Sequence, residues 1–485
     1  MKRFRCKKWW IKTIAMCLFI LLITTSSVFA ATQQEIDTAV NSADQWMVSS
    51  LVNDQSWQYH EASGIRDGSL LCSYLKEKQL APDVICDLQS WLQTCEPDNY
   101  DFAARLLPFL TETQNCSQIV QDLLDGQHPD GGWGLTSCFK SDLFDTVIVM
   151  KALLDDETIN PDVLSRGAGY ILDRQNPDGS WSIIQGQPSS IYLTAETILV
   201  LNAYSIKHNP DLAELATSLR QGGDFLVGQQ GSDHTWGTDE NNLTNTIQAY
   251  RAVLNTVGFE PVSTIEDTLI DLQDANGSWN NEYYSTVLAA KALQEMIDLP
   301  TASIAITLHE YIGEEEVENY TFQAYENIII KPVAQYSQET AFLQLMVKQP
   351  DGKLVPAREE GFFYWNTADF PPGNYSVIAY IKDKASGKII ASSEKDFIIE
   401  ADFKLSDIII RTSPENCRVD QPVNTYISVC LVNQSNVDGE AALEVKVLAA
   451  NGSTVASSNP VVSCSHEEAI ITATPLSFQP DVTVE

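Results

Sequence analysis

Gln175-Asn-Pro-Asp178-Gly179-Ser-Trp181 decides the fold of this 485-residue chain, because the stretch recurs. Gln127-His-Pro-Asp130-Gly131-Gly-Trp133 precedes it. Gln230-Gly-Ser-Asp-His-Thr-Trp236 and Gln273-Asp-Ala-Asn-Gly277-Ser-Trp279 follow. All four place Gln six residues before Trp, and three carry Asp or Asn followed by Gly in between. A small-residue-rich helical run follows each copy. Self-similarity of this kind is the signature of a repeat architecture. Asp-Gly and Asn-Gly tolerate positive φ, so the chain reverses sharply there. Trp contributes a large apolar plate with one N–H donor, and Gln can satisfy that donor or nearby backbone. The repeated pair is expected to staple neighbouring helical hairpins together.

Weaker copies extend the pattern outward. Residues 34–49 have helical spacing, and Asp54-Gln-Ser-Trp57 reads as a degenerate first turn. A helix over 69–78, an outer helix over 83–94, the turn Asp98-Asn-Tyr100 and the run 101–110 follow. Inner helices are expected over 145–154, 195–206, 245–256 and 285–297. Outer helices are expected to begin near Ser117, Pro161, Pro210 and Ser263, with proline tolerated in a first helical turn. Six helical pairs are enough to close a ring, which removes the need for the polar end caps of an open solenoid.

The Gln-(Asp/Asn)-Gly-x-Trp turn with its Thr/Ala/Leu-rich helix resembles the repeat of the terpenoid cyclase and protein prenyltransferase superfamily (prenyltransferase and squalene oxidase-type repeats). That resemblance implies an α/α toroid over 31–299, with inner helices around a central cavity. It does not imply an activity, since one fold hosts several functions. The catalytic signatures of the superfamily are missing. There is no Asp-x-Asp-Asp motif, and Asp142-Leu-Phe-Asp145 has a different spacing. Asp155-Asp156-Glu157 lacks the second carboxylate of a diphosphate–magnesium motif, and no Asp/Cys/His zinc set is in place. A Gly-Cys-Gly-Glu-Gln thioester motif and a Gly-x-Ser-x-Gly elbow are also absent. No metal or cofactor is expected.

Beyond Leu299-Pro300 the helical period gives way to β-branched alternation, which predicts short strands and a β-sandwich over 300–401. Gly373-Asn-Tyr375 resembles the Gly-x-Tyr corner of Ig-like domains. A second sandwich is expected over 402–485, short of its last one or two strands. Both resemble the Ig-like modules of bacterial surface proteins. The fold class expected is therefore multidomain, α then β.

Residues 1–30 read as a secretory signal peptide. Six basic residues lead into the short apolar run Ile14–Ile23, and Val28-Phe-Ala30 offers a cleavage site. Removing the signal leaves 24 basic against 65 acidic residues, a net charge of −41. Such a charge argues against nucleic acid and anionic membranes as partners. No second long apolar run follows, so no stable membrane anchor is expected in this chain. A secreted, extracellular or cell-surface protein is the expectation. Eight cysteines follow the signal, with their pairing open.

Candidate site residues come from aligning the inner helices on Thr146, Thr197, Thr246 and Thr286. The residues just before them are Asp145, Glu196, Asn245 and Ser285, and the column extends to Asp101 and Asp67. In a toroid these positions ring one mouth of the cavity, where carboxylates can hold a ligand or do acid/base work. Asp, Asn and Ser are equally good helix N-caps, which predicts that Asp145 and Asp101 bond backbone N–H groups and have lowered pKa values. Glu is a poor cap, so Glu196 is the strongest functional candidate, with Asp145 as its partner in any catalytic pair. Tyr192 and Tyr284 offer aromatic faces nearby, as does Tyr283. The reading leans away from an enzyme and towards a secreted protein that binds an extracellular glycan or small molecule. The alternatives are a divergent toroid enzyme (terpenoid cyclase-like, or a glycan lyase or hydrolase using the acidic ring) and a carrier laid out like the cobalamin carriers.

Overall fold

The computed structural model describes residues 31–478 except 54–60, 111–115, 209–211, 238–241, 259, 263, 298–300, 313–314, 324–326, 358, 361, 368–369, 401–402, 414–422, 434–438, 449–453 and 465–468. The expected export signal and the turn at Trp57 lie outside the described residues. Helices come first and strands after. The helices are α1 (Gln33–Asn53), α2 (Glu61–Lys78), α3 (Pro82–Leu92), α4 (Tyr100–Leu106), α5 (Cys116–Asp125) and α6 (Leu143–Leu154). They continue with α7 (Pro161–Leu172), α8 (Ile191–His208), α9 (Leu212–Gly228), α10 (Asn242–Thr256), α11 (Ile265–Asp271) and α12 (Tyr283–Ile297). Of the described residues, those in the helices other than 212–217 form one compact unit together with residues 385–390. The remaining strands form the other, with which residues 212–217 cluster.

In the helical unit α2, α4, α6, α8, α10 and α12 each pack against the next, and α12 packs back against α2. The repeated motif makes this possible. Trp133, Trp181, Trp236 and Trp279 are all 0% exposed. Each indole N–H donates to a carbonyl ten residues upstream, those of Leu123, Ile171, Leu226 and Leu269, at 2.6–2.9 Å. A buried indole needs such an acceptor. The Gln amides do the stapling. Gln175 Nε2 donates to Gly179 O inside its own turn and to Ser218 O in α9. Gln127 does the same to Gly131 O and Val163 O in α7. Gln273 bonds Gly277 O and Ala39 O in α1, which ties the last motif to the first described helix. Gly179 sits at φ +85°, and a Cβ there would lie 2.4 Å from Gln221 O, so both the turn and the close approach require glycine.

Among the described residues of the second unit, β1 (Ser303–Ile312), β2 (Glu315–Glu318), β4 (Asn327–Gln335), β7 (Glu359–Glu360) and β8 (Phe362–Asn366) make one sheet, in the order β2-β1-β4-β8-β7. A second runs β3-β10-β9-β5-β6, from β3 (Thr321–Gln323), β5 (Ala341–Lys348), β6 (Leu354–Pro356), β9 (Gly373–Asp383) and β10 (Ile389–Glu400). Both sheets feed one apolar cluster that includes Leu308, Ile330, Val347, Trp365, Val377 and Phe397. Alternation puts one face of each strand into that cluster. Tyr375 OH donates to Pro371 O at 2.6 Å, anchoring the start of β9. The expected shortage of strands after residue 402 is not seen. Seven strands, β11 (Phe403–Ser413) through β17 (Ala469–Phe478), are all paired, as β11-β12-β17, β13-β16 and β14-β15. The final apolar run, AIITATPLSF, pairs along its length with β12 (Val423–Asn433).

Candidate functional site

The motif sets the register of the inner helices. The backbone N–H of each Trp donates to a threonine Oγ1: Trp133 to Thr146, Trp181 to Thr194, Trp236 to Thr246 and Trp279 to Thr286, at 2.9–3.0 Å. The second copy therefore aligns on Thr194, not Thr197, which corrects the sequence alignment by three residues. The column preceding the threonines is Asp145, Leu193, Asn245 and Ser285. Glu196 does not belong to it. It lies two residues past the threonine, level with Ile148, Gln248 and Leu288. Caps stand four residues before the threonine. Asp142 Oδ1 accepts from Asp145 N at 2.9 Å, and Ser190 Oγ accepts from Leu193 N at 3.2 Å.

The capping expected of Asp145 and Asp101 is likewise corrected. Asn99 caps α4, accepting from Phe102 N at 2.8 Å, while Asp101 pairs with Arg105 at 2.8 Å. Asp145 is buried in the first turn of α6. Its carboxyl is held well above the usual carboxylate range, by burial first and then by the hydrogen bond and charge of Asp142, with Asp101 adding to it. That is the opposite of the lowering expected for a cap, because a capping carboxylate accepts N–H bonds whereas Asp145 faces other carboxyls.

The register correction aims Glu196 inward. A cavity of about 190 Å³ is lined by Phe109, Phe144, Val147, Ile148, Leu193 and Leu288 on its apolar side. Its polar side includes Arg105, Lys151, Tyr192, Glu196, Gln248 and Tyr284. Residues from α2, α4, α6, α8, α10 and α12 all reach it. Glu196 is 7% exposed. It accepts a hydrogen bond from Gln248 Nε2 and pairs with Lys151 Nζ at 3.4 Å. Tyr192 and Tyr284 share a hydroxyl–hydroxyl bond of 2.9 Å, and Arg66 lies 4.8 Å from the Tyr284 ring centroid. Burial pushes the Tyr192 and Tyr284 hydroxyls well up, with the charge of Glu196 adding to it, so both are neutral donors or acceptors. The polar layer continues away from the cavity. Arg251 NH1 donates to Gln248 Oε1 at 3.2 Å, and its other nitrogens grip Glu295 at 2.8 and 3.1 Å. Burial raises the Glu295 carboxyl, but Arg251 and then Lys388 outweigh it and hold the group below the ordinary value.

Of the residues singled out in the sequence, the cavity brings together Glu196, Tyr192 and Tyr284. Asp145, Asp101, Asn245 and Ser285 do not line it. Ser285 Oγ instead donates to Glu282 at 3.1 Å, and Asn245 is half-buried in α10. Glu196 and Asp145 thus do not face one cavity as a pair. The second carboxylate on the lining, Asp155, pairs with Lys207 at 3.5 Å and its side chain is 80% exposed. Sequence reading missed Gln248, Lys151, Arg105, Arg251 and Glu295. The cap column Asp142/Ser190/Asn242/Glu282 was the signal that would have set the register and found Gln248.

Among the described residues no group of His, Cys, Asp and Glu is arranged to hold a metal ion, and no helix is long and apolar enough to cross a membrane. No protein-family model matches the chain, and no curated protein matches it. Solved structures similar to it include terpene cyclases. The apo type II terpene cyclase MstE from Scytonema is 12% identical with a TM-score of 0.42, over 54% of this chain and 99% of that one. A protein from Actinoplanes is 12% identical with a TM-score of 0.39, over 53% and 98%. The ent-copalyl diphosphate synthase from Streptomyces platensis is 17% identical with a TM-score of 0.37, over 48% and 50%.

Proposed function

We propose that the helical unit is an α/α toroid that binds a small, uncharged molecule with an apolar body and hydroxyl groups. The protein around it is a secreted or cell-surface binding protein, with Ig-like sandwiches as spacer or adhesion modules. The observation that carries this reading is the charge balance of the cavity. Its two cations, Arg105 and Lys151, are matched by Asp101 and Glu196, its second carboxylate, Asp155, is matched by Lys207, and the rest of the wall is apolar or neutral. A neutral guest then meets no unpaired buried charge, while the Tyr192–Tyr284 pair and Gln248 can trade bonds with its hydroxyls. The basic and apolar leader and the net charge of −41 support export. The partner is an extracellular small molecule or short glycan, with no nucleic acid and no cofactor. The test is a fluorescence titration of the full chain with the neutral dye N-phenyl-1-naphthylamine. A saturable 1:1 isotherm that Leu288→Trp abolishes, with far-UV ellipticity unchanged, is expected. A dye isotherm indifferent to Leu288→Trp, or no isotherm, refutes it.

One observation favours a second reading as a divergent toroid enzyme. Asp145 keeps its proton near neutral pH, as a general acid must. Its carboxyl is absent from the cavity lining, which is why binding is preferred. MstE has been solved with geranylgeranyl dihydroxybenzoate as substrate. Turnover of a polyprenyl arene of that kind by this chain, lost in Asp145→Asn, would favour the enzyme.

A further inference from the structure

A second cavity, about 390 Å³, lies at the other end of the same helices, lined by residues of α6, α8, α10 and α12 and of the segment 385–390 that clusters with them. Its character differs from that of the first. Lys151, Lys207, Arg251 and Lys388 line it, four of the chain's thirty basic residues, in a protein with 65 acidic ones. Against them stand Asp155 and Glu295 on the lining, and Glu196 behind Lys151.

The pairing leaves one positive charge over. Lys151 is matched by Glu196 at 3.4 Å and Lys207 by Asp155 at 3.5 Å. Arg251 and Lys388, however, share a single carboxylate, Glu295, at 2.8 and 3.2 Å. Their side chains are only 19% and 14% exposed. Desolvated charge without a counter-charge is costly, and a bound anion is the direct remedy. Lysine keeps three donors and arginine five, so both cations retain N–H groups beyond those directed at Glu295. The remaining wall is aliphatic, with Leu154, Leu199, Val200, Ala203 and Ile206. Asn202 and Asn255 join across it, Asn202 Nδ2 donating to Asn255 Oδ1 at 2.9 Å.

We infer that this second cavity is a binding site for a small organic monoanion, a carboxylate head on a short apolar chain. The head neutralises the excess charge of the Arg251–Glu295–Lys388 group, and the chain lies on the aliphatic wall. The site is distinct from the first cavity, with which it shares Lys151 and Asp155 on its lining.

The experiment titrates the full chain with hexanoate, hexan-1-ol and hexylammonium at constant ionic strength, read by calorimetry and by ligand-observed saturation-transfer NMR. Hexanoate is expected to bind saturably with one site, and the alcohol and the ammonium at least tenfold more weakly. Lys388→Gln leaves Arg251 and Glu295 as a balanced pair, so it is expected to weaken hexanoate at least tenfold. Lys207→Gln, at a side chain 42% exposed and free of the shared carboxylate, is the second variant in case Lys388→Gln does not fold, and a several-fold loss is expected. Leu288→Trp, which fills the first cavity and lies off the lining of the second, is expected to leave hexanoate affinity unchanged. The proposal is overturned by any of four results: no hexanoate binding, equal binding of hexylammonium, an isotherm unaltered in both lysine variants, or loss of hexanoate binding in Leu288→Trp.

Discussion

Replacing Trp181 by alanine and by phenylalanine measures what the repeated motif contributes and separates its two parts. Trp181 is fully buried, and its ring lies against Gly222, where an added Cβ would come within 2.8 Å of it. Truncation to alanine leaves a cavity at that contact, a change of about 3–5 kcal/mol for a large core residue. The indole N–H donates to Ile171 O at 2.9 Å, and that carbonyl loses its side-chain partner in both variants. That carbonyl keeps the backbone N–H of Arg174 at 3.2 Å, so what is lost is one hydrogen bond, about 0.5–1.5 kcal/mol. Trp181→Ala is thus expected to cost roughly 3.5–6.5 kcal/mol, against roughly 1–3 kcal/mol for Trp181→Phe, which keeps most of the ring. A domain stability of about 5–15 kcal/mol makes the alanine variant marginal at room temperature. The assay is urea unfolding of the full chain followed by far-UV ellipticity, which reports the helices. If alanine costs less than about 1 kcal/mol, or phenylalanine costs as much as alanine, the stapling argument is wrong.

Gly179→Ala is expected to destabilise the helical unit by about 2 kcal/mol or more, since the residue has φ +85° and its Cβ would meet Gln221 O at 2.4 Å; a melting curve checks it. Asp142→Ala should cost about 1 kcal/mol as the loss of an N-cap, whereas Asp145→Asn should raise the melting temperature at pH 8 by removing a carboxyl that resists ionisation. Glu266, 5% exposed, has its carboxyl pushed up to about 7 by burial, with the charge of Asp267 adding to it. The native state therefore holds this proton more tightly than the unfolded chain. Its stabilising contribution is complete below the ordinary value of 4.5 and is lost as pH rises through about 7. Glu266→Gln should flatten that part of the profile, and melting temperatures that change with pH identically in both proteins would contradict it. A double-mutant cycle on Arg251 and Glu295, a bidentate and largely buried pair, is expected to show coupling of about 2–3 kcal/mol, well above the 1 kcal/mol or less of an exposed pair.

Much of the fold was written locally. The Gln-to-Trp spacing of six, the Asp-Gly and Asn-Gly turns and the helical runs after them all act within one hairpin. They predicted helices where α6, α8, α10 and α12 lie, and the switch to alternation after Pro300 predicted the strands. Local patterns also single out Tyr192 and Tyr284 and, through a register set three residues off on Thr197, Glu196. Tertiary structure decided the rest. Thr194 and Thr197 are both threonines on one helix, and only the meeting of Trp181 N–H with Thr194 Oγ1 chooses between them. That choice turns Glu196 from a mouth position into a cavity wall. The raised carboxyl of Asp145 comes from burial first and then from Asp142, with Asp101, 44 positions away in sequence, adding to it. The ion pairs Lys151–Glu196 and Arg251–Glu295 join residues 45 and 44 positions apart, on different inner helices. Propensity and periodicity act over a few residues. Burial and charge pairing depend on what the folded chain brings alongside, and this is why the elements could be read from the sequence while the chemistry of both cavities could not.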